Sequence, residues 1–250
     1  MKKLIVANWK MNPADKESAM KYFTFFARAK NVIKLADVVV VPPSPYLAIV
    51  PRTRLFALGA QDVFWEKEGA YTGEISGDML KSFGVQYVIV GHSERRRLGD
   101  TDDIVAKKIR RILDVKLIPI ICIGEDSRDP DGIFFSVIRG QLERALSLVK
   151  QSEVGRLVVA YEPIWAIGVG NKSATPKDAA EASLFIKKTV AGRFGSSRAR
   201  SLRVIYGGST SPDNAASFLA ERNVSGLLVG RESLDPKSFI KIIQCANTTS

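Results

Sequence analysis

Eight short apolar runs recur along the chain: KLIVAN (3–8), DVVVVP (37–42), LFALGAQ (55–61), YVIVG (87–91), KLIPIICIG (116–124), RLVVAYE (156–162), RVIYGG (203–208) and GLLVG (226–230). They are continuous rather than alternating and rich in Val and Ile, the pattern of strands covered on both faces, as in parallel sheets. Between them lie amphipathic or polar segments. KESAMKYFTFFARAK (16–30), DDIVAKKIRRIL (102–113), FFSVIRGQLERALSLVK (134–150), PKDAAEASLFIKKTVAG (176–192), PDNAASFLAE (212–221) and DPKSFIKIIQ (235–244) are predicted helices. Several open with Pro or Asp in the first turn, a helix-start signal. Two shorter helical connections are expected within DVVVVPPSPYLAIV (37–50) and SGDMLKSFG (76–84).

Eight strands alternating with helices place the chain in the α/β class and predict a (β/α)8 barrel. A doubly wound sheet is the alternative, but no GxGxxG follows the first strand, so that dinucleotide site is absent. No linker, repeat or low-complexity tract interrupts residues 1–250, which are expected to form one domain with a frayed tail over 247–250.

Composition narrows the picture. Of the 250 residues, 46% are apolar, enough for a large core, yet no stretch approaches the ~20 apolar residues of a membrane span. The opening MKKLIVANWK resembles a signal peptide only faintly: its apolar part, LIVA, is too short and ends at Asn8. A cytoplasmic protein is expected, with the sequons at Asn171, Asn223 and Asn247 as chance matches and Cys122 and Cys245 as reduced, mostly buried thiols. The net charge is +11. The basic residues are scattered, as in KKIRRILDVK and GRFGSSRARSLR, without an aromatic-studded stripe. That pattern suggests a solvated basic surface first and a phosphorylated small substrate second, with neither nucleic acid nor membrane as partner.

In a barrel of this kind the functional face is built where strands run into the following helices. The polar or glycine residues there are Asn8 and Lys10, His92 and Glu94, Glu162, the GGS of 207–209, and Gly230 with Arg231. His92 is the only histidine, so no multi-histidine metal site exists. Glu162 ends an apolar strand and precedes PIWAIGVG, whose Gly168, Gly170 and large apolar residues suit a lid that dries the site. A carboxylate there can take a carbon-bound proton and return it to the neighbouring carbon.

ANWKMN, VIVGHSERR, AYEPIWAIGVG, YGGS and GLLVG, in this order and at these strand ends, resemble the motif set of triosephosphate isomerases from residue 2 to about 245. That family is itself the type case of the (β/α)8, or TIM, barrel. The resemblance implies interconversion of dihydroxyacetone phosphate and glyceraldehyde 3-phosphate, in glycolysis and gluconeogenesis, with neither cofactor nor metal. It implies Glu162 as the base and His92 and Lys10 as donors to the enediolate oxygens. Asn8 adds a hydrogen bond, and Glu94 either pairs with Lys10 or assists proton movement. Gly91 and the helical turn after His92 suggest backbone N–H groups on one ring nitrogen, hence a neutral imidazole that donates from the other. Gly168, Gly207, Gly208, Ser209, Gly230 and Arg231 are expected to offer N–H groups to the phosphate. In the family the loop matching DVFWEKEGAYTGE (62–74) docks into the partner subunit, so the resemblance implies a homodimer, with Thr72, Gly73 and Glu74 at the interface.

The chain departs from the family pattern at several points. Ala7 stands where Gly is usual, Asp62 where Asn is common, Val169 in place of Thr, and the lid GVGNKSATP is one residue longer. Arg231 replaces the second Gly of a GG pair, which is harmless only if its backbone avoids a glycine-type conformation. The loop after Arg97 is short, and Asp100 is the nearest candidate partner for Arg95. Two other readings stand beside this one. The first is a different phosphosugar barrel enzyme, metal-dependent or using a Schiff-base lysine. The second is a protein that holds anionic partners on an enzyme scaffold.

Overall fold

The computed structural model describes residues 1–51, 53–166 and 173–247. Gly168, Val169, Gly170 and Asn171 of the predicted lid, and the last three residues of the expected tail, lie outside them.

Eight parallel strands close into a barrel in sequence order, β1 pairing with β8. They are β1 Leu4–Asn8, β2 Asp37–Val41, β3 Ala57–Ala60, β4 Val85–Val90, β5 Ile118–Ile123, β6 Val158–Tyr161, β7 Arg203–Tyr206 and β8 Gly226–Val229. Each lies within or overlaps one of the eight apolar runs. The architecture is a single-domain (β/α)8 barrel, as predicted.

The reason these runs show no alternation is visible in the packing. Leu4, Val6, Val39, Val41, Ile120, Cys122, Val158, Ala160, Ile205 and Leu228 form a cluster inside the barrel. Their neighbours Ile5, Ala7, Ile121, Ile123, Val159, Tyr161, Val204 and Leu227 pack outward against the helices. Successive strand residues point to opposite faces, so a strand with two apolar surroundings reads as one continuous run. The same alternation carries forward past the strand ends. Asn8 continues 4, 6; Glu162 continues 158, 160; Gly124, Gly207 and Gly230 continue the inner positions of β5, β7 and β8. For these five strands the next inward layer is two polar side chains and three glycines, which leaves room for a ligand.

Ten helices cover the barrel among the described residues: α1 Lys16–Ala27, α2 Lys30–Ile33, α3 Gly77–Ser82, α4 Ser93–Arg97, α5 Asp102–Asp114, α6 Phe134–Ala145, α7 Pro176–Phe194, α8 Ser196–Ser201, α9 Ala215–Ala220 and α10 Pro236–Cys245. Their starts carry the expected chemistry. Asp15, Ser76, Thr101 and Asp235 accept backbone N–H bonds as N-caps, and Thr175 with Asp178 forms a capping box ahead of Pro176. The predicted helices over 16–30 and 134–150 stop early, at Ala27 and Ala145, because separate turns follow. The segment 37–50 supplies a 3-10 helix, Ser44–Ile49, rather than an α-helix.

Arg110 of α5 grips Glu153 with two bonds of 2.8 Å. The Arg110 hydrogen bond holds the Glu153 carboxyl at about 2. An unfolded glutamate titrates at about 4.3, so this pair stabilises the fold above that pH and loses its contribution as pH falls toward 2. The stability gap between wild type and Glu153→Gln, measured by urea unfolding, is expected to be full at neutral pH and to shrink below pH ~4. A gap independent of pH would contradict the pairing.

Among the described residues no helix is long and apolar enough to cross a membrane.

Candidate active site

The polar side chains singled out at the strand ends, Glu94 apart, meet in one cavity of about 330 Å3, within the range of small-ligand sites. Asn8, Lys10, His92, Glu162, Gly207, Gly208, Ser209, Gly230 and Arg231 all line it.

Glu162 is 2% exposed. Its backbone N–H extends the ladder by donating to Ile123 O at 2.8 Å, so the strand itself aims the side chain inward. Oε2 accepts from the Ser93 N–H at 3.2 Å, while Oε1 has no hydrogen bond and lies 3.3 Å from His92 Nε2. Two glycines make this position possible. A Cβ on Gly124 would stand 1.8 Å from Glu162 O, and one on Gly207 would stand 2.9 Å from Glu162 Cγ. The thiol of Cys122 sits beside the carboxylate, and burial followed by the Glu162 charge pushes it well up, so it stays a neutral thiol.

His92 is the N-cap of α4, and its Nδ1 accepts from the Glu94 N–H at 3.2 Å. A nitrogen that accepts carries no proton, so the ring's proton lies on Nε2, the nitrogen that faces Glu162 and the cavity. This is the backbone N–H bond to one ring nitrogen expected from the sequence. In a nitrogen-15 NMR spectrum at neutral pH, Nδ1 is expected to resonate as a bare acceptor and Nε2 as a protonated nitrogen; the reverse tautomer or an imidazolium would contradict the geometry.

Lys10 sits with φ of 52°, a left-handed conformation that costs a non-glycine residue about 1–2 kcal/mol. Its N–H donates to Asn8 Oδ1 at 3.1 Å, and its carbonyl accepts from Gln61 Nε2 at 2.8 Å, which holds the bend. The bend swings the ammonium across the mouth to Glu94 Oε1 at 2.7 Å. Burial alone would raise the Glu94 carboxyl, but the Lys10 hydrogen bond and charge outweigh it and leave it below the usual carboxylate range. Glu94 thus pairs with Lys10, one of the two roles expected for it.

The phosphate-end residues separate into two kinds. The amides of Gly208, Ser209, Gly230 and Arg231 have no partner among the described residues and are available to an anion. Gly207 corrects the sequence reading: its N–H already donates to Tyr161 O at 2.8 Å. Its place in the site is explained by the space it leaves for Glu162. Arg231 opens a 3-10 turn, Arg231–Ser233, and is not among the positive-φ residues, so arginine is tolerated where a second glycine is usual. Gly168 lies outside the described residues.

Arg95 has two carboxylate neighbours: its Nη2 lies 3.8 Å from Asp100 Oδ1, the partner suggested by the sequence, and its Nε lies closer, 2.9 Å, to Asp62 Oδ2. Asp100 also holds Lys108 Nζ at 2.6 Å, and Asp62 holds the same ammonium at 2.8 Å. Lys108 is 2% exposed, so the long loop, the segment behind His92 and α5 are tied together by a buried charge cluster.

Thr72, Gly73 and Glu74 are exposed on the long loop. Gly73 and Glu74 line a neighbouring cavity of about 440 Å3 that includes Lys10 and His92. Met11, Leu98 and Tyr71 on this side are 93%, 77% and 45% exposed, an unusual density of bare apolar side chains.

Two residues at strand ends escaped the sequence reading. Gln61 follows β3 and braces Lys10. Glu125 follows β5, is 1% exposed, and accepts from Tyr161 Oη at 2.7 Å and Trp165 Nε1 at 2.8 Å. Burial and then the Glu125 charge push the Tyr161 phenol up, so it remains the donor. Glu125 therefore anchors the beginning of the segment after Glu162. The signal was a polar residue closing an apolar run, the same signal that marks Asn8 and Glu162.

Among the described residues no group of three or more His, Cys, Asp or Glu side chains is placed to hold a metal ion. The family profile described as Triosephosphate isomerase matches residues 3–246. The chain is 43% identical over 245 residues to the triosephosphate isomerase of Caldanaerobacter subterraneus subsp. tengcongensis, covering 96% of this chain and 98% of that one. It is 40% identical over 248 residues to that of Aquifex aeolicus, covering 97% and 99%. With the barrel and these strand-end residues in place along the same length, the chain belongs to the triosephosphate isomerase family.

Proposed function

We propose that this protein interconverts dihydroxyacetone phosphate and D-glyceraldehyde 3-phosphate by proton transfer through an enediolate. The observation that carries the reading is the buried Glu162 carboxylate, with one unbonded oxygen 3.3 Å from a neutral imidazole in a cavity of small-ligand size. Glu162 takes the proton from the carbon beside the carbonyl. The electron pair moves into the new carbon–carbon double bond, and negative charge develops on the carbonyl oxygen. His92 Nε2–H, the Lys10 ammonium and the Asn8 amide supply donors where that charge appears. The proton of the neighbouring hydroxyl passes to the former carbonyl oxygen by way of His92 Nε2, and Glu162 returns its own proton to the former carbonyl carbon as the neighbouring C–O becomes the new carbonyl, which completes the isomerisation without an external base or redox partner. The amides of Gly208, Ser209, Gly230 and Arg231 receive the phosphate, the usual arrangement for loops after the seventh and eighth strands.

The exposed Met11, Leu98 and Tyr71 beside the long loop support a homodimer in which Thr72, Gly73 and Glu74 meet the partner. The protein is read as a cytoplasmic enzyme of glycolysis and gluconeogenesis. A coupled assay of purified protein with glyceraldehyde 3-phosphate is expected to show rapid conversion that survives a chelator; no conversion would refute the reading. Sedimentation at micromolar concentration is expected to give twice the chain mass, and a monomer would remove the dimer from it.

A further inference from the structure

The N-terminal mouth of the barrel, opposite the catalytic cavity, holds a second cavity of about 910 Å3. Its floor is apolar: Val39, Ala57, Tyr87, Ile118 and Val158 belong to the cluster inside the barrel. Its rim is cationic. Lys2, Lys34, Arg54, Arg156, Arg200 and Arg203 line it, with Asp37 as the one carboxylate among the lining residues. The cations come from separate segments: the start of β1, the end of α2, the approach to β3, the approach to β6, α8, and β7.

Little in the fold neutralises this rim. Arg203 pairs with Asp37 at 2.7 Å, and Arg156 donates to Leu117 O at 3.0 Å. Lys2 donates to a backbone carbonyl, that of Lys34, at 2.6 Å. Arg54 and Arg200 are exposed and have no partner among the described residues, and neither does the Lys34 ammonium. Like charges gathered around one concavity repel one another, and low-dielectric walls focus their field into it. That arrangement stabilises a bound polyanion. A single small anion meets one or two of these groups, whereas a chain of linked phosphates reaches cations on several segments at once.

We propose that this mouth binds an oligophosphate, a linear chain of linked phosphates, free or carried by a nucleotide. The site is separate from the catalytic one: the two cavities share no lining residue. Asp37 and Val41, at the two ends of β2, are four strand steps apart, about 13 Å. It also accounts for Arg200 and Arg203 of the basic run GRFGSSRARSLR, which the catalytic face does not use.

The test is isothermal titration of the full chain with sodium tripolyphosphate, and separately with magnesium-free ATP, with triose phosphate present to occupy the catalytic cavity. The comparison protein is the double variant Arg54→Gln/Arg200→Gln, which removes two unpartnered surface charges and leaves the packing untouched. One tripolyphosphate per chain is expected to bind wild type, to weaken at higher salt, and to bind the variant about tenfold or more weakly. The variant's kcat, KM and melting temperature without ligand are expected to match wild type. Equal binding of ATP points to the phosphate chain alone, and tighter binding of ATP points to a nucleotide; both support the site. Absence of binding, displacement by triose phosphate, or equal affinity in the variant would overturn it. So would tighter, equally Arg-dependent binding of a single-stranded oligonucleotide, which would make the mouth a nucleic-acid surface.

Discussion

Glu162→Gln is expected to lower kcat for glyceraldehyde 3-phosphate by roughly 10³- to 10⁴-fold, the upper part of the range for a general base. The position of the loss within that range follows from the geometry. In the proposed mechanism one carboxylate serves both proton transfers, and among the described residues the other carboxylate lining its cavity is Glu232, beyond Arg231; Glu94, tied to Lys10, lines the neighbouring cavity. Glutamine keeps the shape and can still accept from the Ser93 N–H, so KM and melting temperature should hardly move. A variant with near-normal turnover would remove Glu162 from its role. A variant whose fold collapses would show that the Ser93 and His92 contacts need the charge.

The second large effect is on stability. Lys108→Ala is expected to cost about 3–5 kcal/mol, the usual loss when one partner is removed from a buried ion pair. Lys108 is 2% exposed and Asp100, at the side chain, 8%. Removal of the ammonium leaves both aspartates facing each other without their shared counterion, and Asp62 still holds Arg95. At two to four degrees per kcal/mol for a chain of this size, the melting temperature should fall by roughly 6–20 °C. Lys108→Met combined with Asp62→Asn and Asp100→Asn is expected to recover much of that loss, because the desolvated charges go together. Equal losses in the single and triple variants would show that packing, not charge, explains the site.

Much of the fold is legible in the sequence. The strands announced themselves because they are apolar on both faces, and Asn8 and Glu162 because they interrupt that apolarity at inward positions. Helix starts are readable from Asp102, Pro176 and Asp235, which open the predicted segments. Contacts between distant segments were not readable. The Lys108–Asp62 pair spans 46 residues and the Trp165–Glu125 bond spans 40, and neither leaves a local pattern. One trace was present: Lys108 falls on the apolar stripe of α5 with Val105, Ile109 and Ile112, where a charged residue needs a buried partner. Gly207 shows a different limit. A glycine in a strand-end turn suggests a free amide, but its N–H belongs to the ladder and its missing Cβ is what the site uses. The breaks after α1 and α6 were hidden because their apolar periodicity continues into separately packed turns.

The central claim is that Glu162 moves a proton between solvent-exchangeable carboxyl and carbon, rather than a hydride passing directly between carbons. Isomerisation of dihydroxyacetone phosphate in deuterium oxide, followed by proton NMR of the glyceraldehyde 3-phosphate formed, tests it most directly. A large fraction of the product is expected to carry deuterium at C2, because the protonated Glu162 exchanges with solvent during the enediolate's lifetime. Full retention of protium at C2 would contradict the account.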